Sequence, residues 1–158
     1  MEKVQGGAMG GVDELYREVI LDHFKAPKNR GELEGANAKA EGLNPLCGDQ
    51  MTMAVLIDGG AIKDIRFDGH GCAISQSAAS MLTALVKGRK IDEVLGLTST
   101  YKKMFGIDDG VKAAFVLDDL GDLISLEGVK KYPVRIKCAL LSANTLLESL
   151  ADFEKKGA

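Results

Sequence analysis

The chain has 158 residues, of which 46% are hydrophobic and 27% charged; it is long enough to bury a core without staples and too apolar for a disordered chain. Its formal charge of −3 lacks the basic footprint of a nucleic-acid binder, and no apolar run approaches the ~18 residues of a membrane span. The first ten residues carry no apolar h-region, so a cytoplasmic, reducing compartment is expected, and three cysteines, an odd number, speak against a disulfide framework.

Residues 1–11 read as a flexible arm, with Gly6, Gly7, Gly10 and Gly11 offering nothing to pack. Residues 12–158 read as one domain. A helix is expected over residues 12–25, with Asp13 as N-cap. Leu15 and Val19, and then Tyr16, Ile20 and Phe24, repeat at i, i+4. Pro27 and Asn29-Arg30-Gly31 stop it. A polar stretch with Gly35, Gly42 and Pro45 follows, ending in Leu46-Cys47-Gly48-Asp49.

Met51, Met53, Val55 and Ile57 alternate with Thr52, Ala54 and Leu56, the period of a strand. Asp58-Gly59-Gly60 signals a hairpin, and residues 62–67 supply its second strand. Cys47 therefore lies just before one strand and Cys72 just after the other. Antiparallel pairing brings those two ends side by side.

A helix after Cys72 carries Ile74, Ala78, Met81, Leu82 and Leu85 on an apolar stripe, with Ser75, Ser77, Ser80 and Thr83 as its small polar positions, and Gly88 ends it. Short helical pieces are expected over 91–95 and 100–105. Glycines and paired aspartates break any period between 106 and 128. A last helix is expected over 134–153, with Ile136, Leu140, Ala143, Leu147, Leu150 and Phe153 inward and Pro133 near its start.

Cys72 and Cys138 both fall near predicted helix starts, where the partial positive charge of free N–H groups favours the thiolate. Lys130, Lys131, Arg135 and Lys137 push Cys138 the same way. Cys47-Gly48-Asp49 offers a soft thiolate beside a hard carboxylate. Each residue alone also has a plain reading: a buried small hydrophobe for a cysteine, a turn residue for Asp49, a surface residue for His70, a solvated face for the basic run. No C-x-x-C pair and no deaminase-type proline–cysteine pair is present. Spacing alone leaves a shared metal site and separate packing roles both open.

Local sequence is more specific. Asn44-Pro45-Leu46-Cys47-Gly48-Asp49, Gly69-His70-Gly71-Cys72-Ala73-Ile74-Ser75 and Pro133-Val134-Arg135-Ile136-Lys137-Cys138-Ala139 resemble the three cysteine motifs of the U-type iron–sulfur cluster assembly proteins, the IscU/SufU (NifU N-terminal-like) family. Leu15-Tyr16, Ile20-Leu21-Asp22-His23-Phe24, Pro27 and Asn29-Arg30-Gly31 resemble that family's opening helix. Lys137 stands where IscU-like members have histidine, and Lys131-Tyr132-Pro133-Val134 lacks most of their Leu-Pro-Pro-Val segment. Leu120-Gly121-Asp122-Leu123 looks like the SufU insertion, so the closer resemblance is to SufU.

The resemblance implies an α+β fold, a three-stranded antiparallel sheet packed by helices with a metal site at one end. It implies Zn2+ held by Cys47, Asp49, Cys72 and Cys138, sulfur accepted from a pyridoxal-phosphate cysteine desulfurase of the SufS type at Cys138 or Cys47, and downstream iron–sulfur acceptor proteins as partners. In the IscU-like case the same position assembles a transient [2Fe–2S] cluster or takes iron, without enzymatic turnover. Arg135 and Lys137, flanking Cys138, are expected to act on a partner surface or on thiolate reactivity. A structural zinc domain is the blander alternative; a closed structural site rarely needs a residue like Asp49.

Overall fold

The structure, a computed structural model, describes residues 14–112 and 115–157. The expected arm and the Asp13 cap lie outside the described residues. Four α-helices, α1 (Glu14–Lys25), α2 (Ala73–Val86), α3 (Ile91–Met104) and α4 (Pro133–Gly157), surround a sheet of β1 (Ala38–Asn44), β2 (Asp49–Asp58) and β3 (Ala61–His70). A 3-10 segment, Leu117–Lys131, bridges α3 and α4 and kinks at Gly121. The sheet is antiparallel throughout in the order β1-β2-β3. This is the α+β architecture that the resemblance implied.

The period-2 pattern of β2 turns into burial: Met51, Met53, Val55 and Ile57 all face the core. Ile62, Ile65 and Phe67 of β3 join them, and α2 and α4 close the core over that face. The hairpin closes on the Asp58↔Ala61 pair and opens toward Gln50↔His70. The open end is where Asp49 and Cys72 meet.

β1 falls in the stretch whose sequence is polar. Its inward positions are Ala38, Ala40 and Gly42, and its outward ones are Lys39, Glu41 and Leu43, so no large apolar residue marks its inner face. The reason lies in α4. A Cβ on Gly42 would overlap the Thr145 hydroxyl and stand 3.0 Å from Leu141 Cδ1. The helix lies directly on the strand backbone, and only small residues fit beneath it.

Two other expectations need correction. α1 buries Ile20 and His23, while Phe24 is 41% exposed; the inward face runs at i, i+3. The small polar residues of α2, Ser75, Ser77, Ser80 and Thr83, are all buried. They bury at low cost because their hydroxyls find partners, Ser77 on the Ala73 carbonyl and Thr83 on the Ala79 carbonyl. The two short pieces after residue 90 are one helix, α3. Gly96 does not break it but makes room for the Phe115 ring, 2.9 Å from where a Cβ would stand. Tyr101 then ties α3 to α4, its hydroxyl donating to the Ala139 carbonyl at 2.7 Å.

Candidate metal centre

Three segments far apart in sequence meet at the open end of the hairpin. Asn44 and Asp49 are cross-strand partners that frame the turn Pro45-Leu46-Cys47-Gly48. The Cys47 N–H donates to the Asn44 carbonyl at 3.2 Å, which closes that turn. Across the sheet β3 ends at His70, and two residues later Cys72 caps α2 with extended dihedrals. Its Sγ accepts the Ser75 N–H at 3.5 Å. From the other side α4 delivers Cys138, its sixth residue.

Cys47, Asp49 and Cys138 each present a ligand atom within 4.8 Å of the others. Ligand atoms around a tetrahedral zinc stand about 3–4 Å apart, so the trio is already near that spacing. All three cysteines are free thiols, and the Cys138 thiol lies 2.8 Å from the Cys47 sulfur. Cys72 stands outside the trio's span but is bound to it through its backbone, its N–H donating to Asp49 Oδ1 at 2.8 Å. The expected foursome thus resolves into three convergent groups and a neighbour that caps its own helix. Gly71 permits this: a Cβ there would collide with the Asp49 carboxylate and lie 2.6 Å from Ser75 Oγ.

The cysteines differ in exposure. Cys138 is fully buried, whereas Cys47 and Cys72 are half-buried. The expected lowering of the Cys138 thiol pKa by a helix start is not found. α4 begins at Pro133, so Cys138 sits beyond the first turn, where the free N–H groups end. Burial instead pushes the thiol up, and the hydrogen bond with Cys47, the charge and hydrogen bonding of Cys72 and the hydrogen bond with Asp49 push further.

Arg135 reaches the centre from α4, with Nη1 3.8 Å from the Cys47 sulfur. Hydrogen bonding to Cys138 first, and then the charges of Cys72, Cys138 and Cys47, hold its guanidinium charged against the opposing effect of burial. Lys137 and His70 are exposed and make no hydrogen bond or ion pair with the centre among the described residues. Exposed apolar side chains rim the site: Leu43 is 68% exposed, Leu46 69% and Val134 59%.

The donor set fits a metal ion. Asp49 is 2% exposed, and its carboxylate receives the Cys72 N–H, the Asn44 amide at 3.4 Å and the Cys138 thiol. Among the described residues no ion pair reaches it. A buried carboxylate without a cation is costly. A carboxylate with two thiols converging on it and a third on the adjacent helix cap is a donor set that a divalent borderline-soft ion satisfies.

Sequence reasoning passed over Asn44 and Gly71 as site residues. Asn44 stands in the first motif and Gly71 in the second, but nothing in residue type alone sets a buried amide or a missing side chain apart from ordinary turn chemistry.

Residues 15–157 match the family described as NifU-like N-terminal domain. The chain belongs to that family. It is 39% identical over 146 residues to the zinc-dependent sulfurtransferase SufU of Bacillus subtilis strain 168, covering 90% of this chain and 94% of that one. It is also 34% identical over 144 residues to the iron–sulfur cluster assembly scaffold protein IscU of Thermotoga maritima, covering 89% and 96%. Among solved structures, one described as an iron–sulfur cluster assembly scaffold protein for the SUF system from Fervidobacterium islandicum AW-1 superposes with a TM-score of 0.76 at 37% identity, covering 84% of this chain and 94% of that one. Family membership thus rests on nearly the whole described chain. No helix among the described residues is long and apolar enough to cross a membrane.

Proposed function

We propose that this protein is a zinc-binding sulfur acceptor in iron–sulfur cluster assembly, loaded by a pyridoxal-phosphate cysteine desulfurase in the cytoplasm. The observation that carries the reading is Asp49: a buried carboxylate with no cation, beside two converging thiols. Cys47, Asp49 and Cys138 would hold the ion, with Cys72 completing the set from the cap of α2. When bound, zinc supplies the positive charge that keeps the thiols deprotonated at neutral pH.

Of the two expected sulfur acceptors, the reading favours Cys47. It is half-buried, it lies in a turn beside the exposed Leu46, and the Arg135 guanidinium is within reach of its sulfur. Cys138, on α4 itself, is fully buried. The step is thiol exchange. The Cys47 thiolate attacks the outer sulfur of the donor's persulfide, a new S–S bond forms at Cys47, and the donor's cysteine leaves as the thiolate. The proton on the transferred sulfur travels with it, and no net oxidation occurs. Arg135 stabilises the Cys47 thiolate before attack. Lys137 and the apolar rim of Leu46 and Val134 face the donor.

A second reading, a scaffold that holds a nascent [2Fe–2S] cluster and passes it to acceptor proteins, is favoured by the relative named as an IscU scaffold. Metal content and visible absorption separate the two. A colourless protein with one zinc per chain that stimulates a desulfurase supports sulfur acceptance. A stable brown product after anaerobic incubation with desulfurase, cysteine and iron supports the scaffold. Full zinc occupancy in a Cys138→Ser variant would refute the site.

A further inference from the structure

We infer that Asn44 is a positioning residue of this centre, setting the distance between its carboxylate and its buried sulfur; the inference rests on the zinc reading above. Asn44 is 5% exposed and ends β1, directly opposite Asp49 in the sheet register. One side-chain amide nitrogen serves two ligands. Nδ2 donates to Asp49 Oδ2 at 3.4 Å and to Cys138 Sγ at 3.5 Å. The carboxylate comes from β2 and the sulfur from α4, 94 positions along the chain from Asn44 in the second case, so the amide is a clip between two elements that share no covalent tie nearby. Its main-chain carbonyl meanwhile accepts the Cys47 N–H. Asn44 therefore touches the segments of all three convergent ligands.

The chemistry suits this place. A carboxamide NH2 carries two hydrogens and no charge. It can satisfy one lone pair on each ligand without competing for the ion, which a carboxylate or imidazole at the same position would do. The opposite orientation of the amide would set its oxygen against a carboxylate and a sulfur, so the nitrogen assignment is the one the surroundings select. Groups that orient metal ligands in this way typically change affinity 10–100-fold when removed.

The test is zinc affinity by chelator competition on the full chain, with cobalt-substituted spectra as a second readout. Asn44→Ala should bind zinc 10–100-fold more weakly and shift the cobalt ligand-field bands, while circular dichroism stays that of the parent. Asn44→Leu fills the same volume without donors. It should give the same loss and stands in if the alanine variant does not fold. In the Asp49→Ala background the Asn44 substitution should cost less than half as much in fold terms, because one of its two clients is gone. Unchanged affinity and unchanged cobalt bands in both Asn44 variants, with a parent that binds zinc, would overturn this role and leave the zinc reading standing. A parent that binds no zinc would overturn both.

Discussion

Two polar clusters can be set side by side in this molecule. At one, His23 joins three elements. Its Nδ1 meets Ser80 Oγ at 2.7 Å and its Nε2 meets Asp122 Oδ2 at 2.9 Å. Ser80 Oγ also accepts the Lys28 N–H at 2.8 Å. A serine, a histidine and an aspartate in contact invite a catalytic reading, yet Ser80 is fully buried and no substrate reaches it. Each polar atom already has its partner, and the cluster pins α1 and the 3-10 segment to α2. At the other, three thiols and a carboxylate gather with a single arginine at the edge. The Asp49 carboxylate there has hydrogen bonds but, among the described residues, no ion pair. The difference between them teaches that hydrogen bonds alone tie elements together, whereas a buried carboxylate gathered with thiols and no cation leaves a place for one.

If that distinction is right, removing metal should unbalance only the second cluster, and by the largest margin. A chelator should lower the melting temperature of zinc-loaded protein by roughly 8–16 °C, from about 4 kcal/mol of binding at a thousandfold excess over Kd and 2–4 °C per kcal/mol for a chain of this size. Differential scanning calorimetry with and without chelator measures it; no shift would erase the contrast.

His23→Ala should cost about 1–3 kcal/mol, because the buried Ser80 hydroxyl loses a partner, while the exposed Asp122 carboxylate turns to water. Zinc affinity should remain that of the parent, since the substitution touches no ligand. A chemical denaturation curve and a chelator titration on the same variant check both halves.

Asp49→Ala sharpens the comparison because its sign depends on metal. With zinc, one of the four proposed ligands is gone and affinity should fall. Without zinc, a buried carboxylate that no cation serves has been removed, so the metal-free variant should be at least as stable as the metal-free parent. Urea unfolding of both metal-free proteins gives the answer. If the centre instead carries a cluster, the same variant should hold it longer in air, since a hard exchangeable ligand has been lost.

The smallest effect belongs to a satisfied carboxylate. Burial pushes Asp109 up, but the Val111 N–H, the Ser99 hydroxyl and Lys102 outweigh it and hold the carboxyl below its usual range. A lowered folded-state pKa gives stability that is present above the unfolded value, about 3.9, and is lost as pH falls through the folded value. Asp109→Asn should flatten the acid limb of the stability curve below about pH 4 and leave neutral stability within about 1 kcal/mol.

Much of this was legible in the sequence, and what was not has physical reasons. The β2–β3 hairpin announces itself because Met51, Met53, Val55 and Ile57 alternate and Asp58-Gly59-Gly60 turns the chain. β1 is silent because α4 rests on Gly42 and tolerates no large residue to signal a strand. The helix that carries Cys138 was legible to within one residue, 134 against Pro133. What misled was treating its sixth residue as part of the helix start, and the burial that raises the thiol comes from distant segments that leave no local pattern. Arg135 was visible as a charge but not as a neighbour of Cys47, since a contact across 88 residues leaves no local pattern. Asn44 was hidden for the same reason.

The distance along the chain between the site's parts also dictates an order of assembly. Asp49 and Cys72 belong to one hairpin and its following helix, so they meet as soon as that hairpin closes. Cys138 lies 91 positions beyond Cys47, on α4, which follows the hairpin, α2 and α3 in chain order. A chain emerging from the ribosome therefore carries an incomplete centre until α4 is made, able to grip a metal only weakly. Loading waits for α4, and a full-strength site is itself a report that this helix has docked on the sheet.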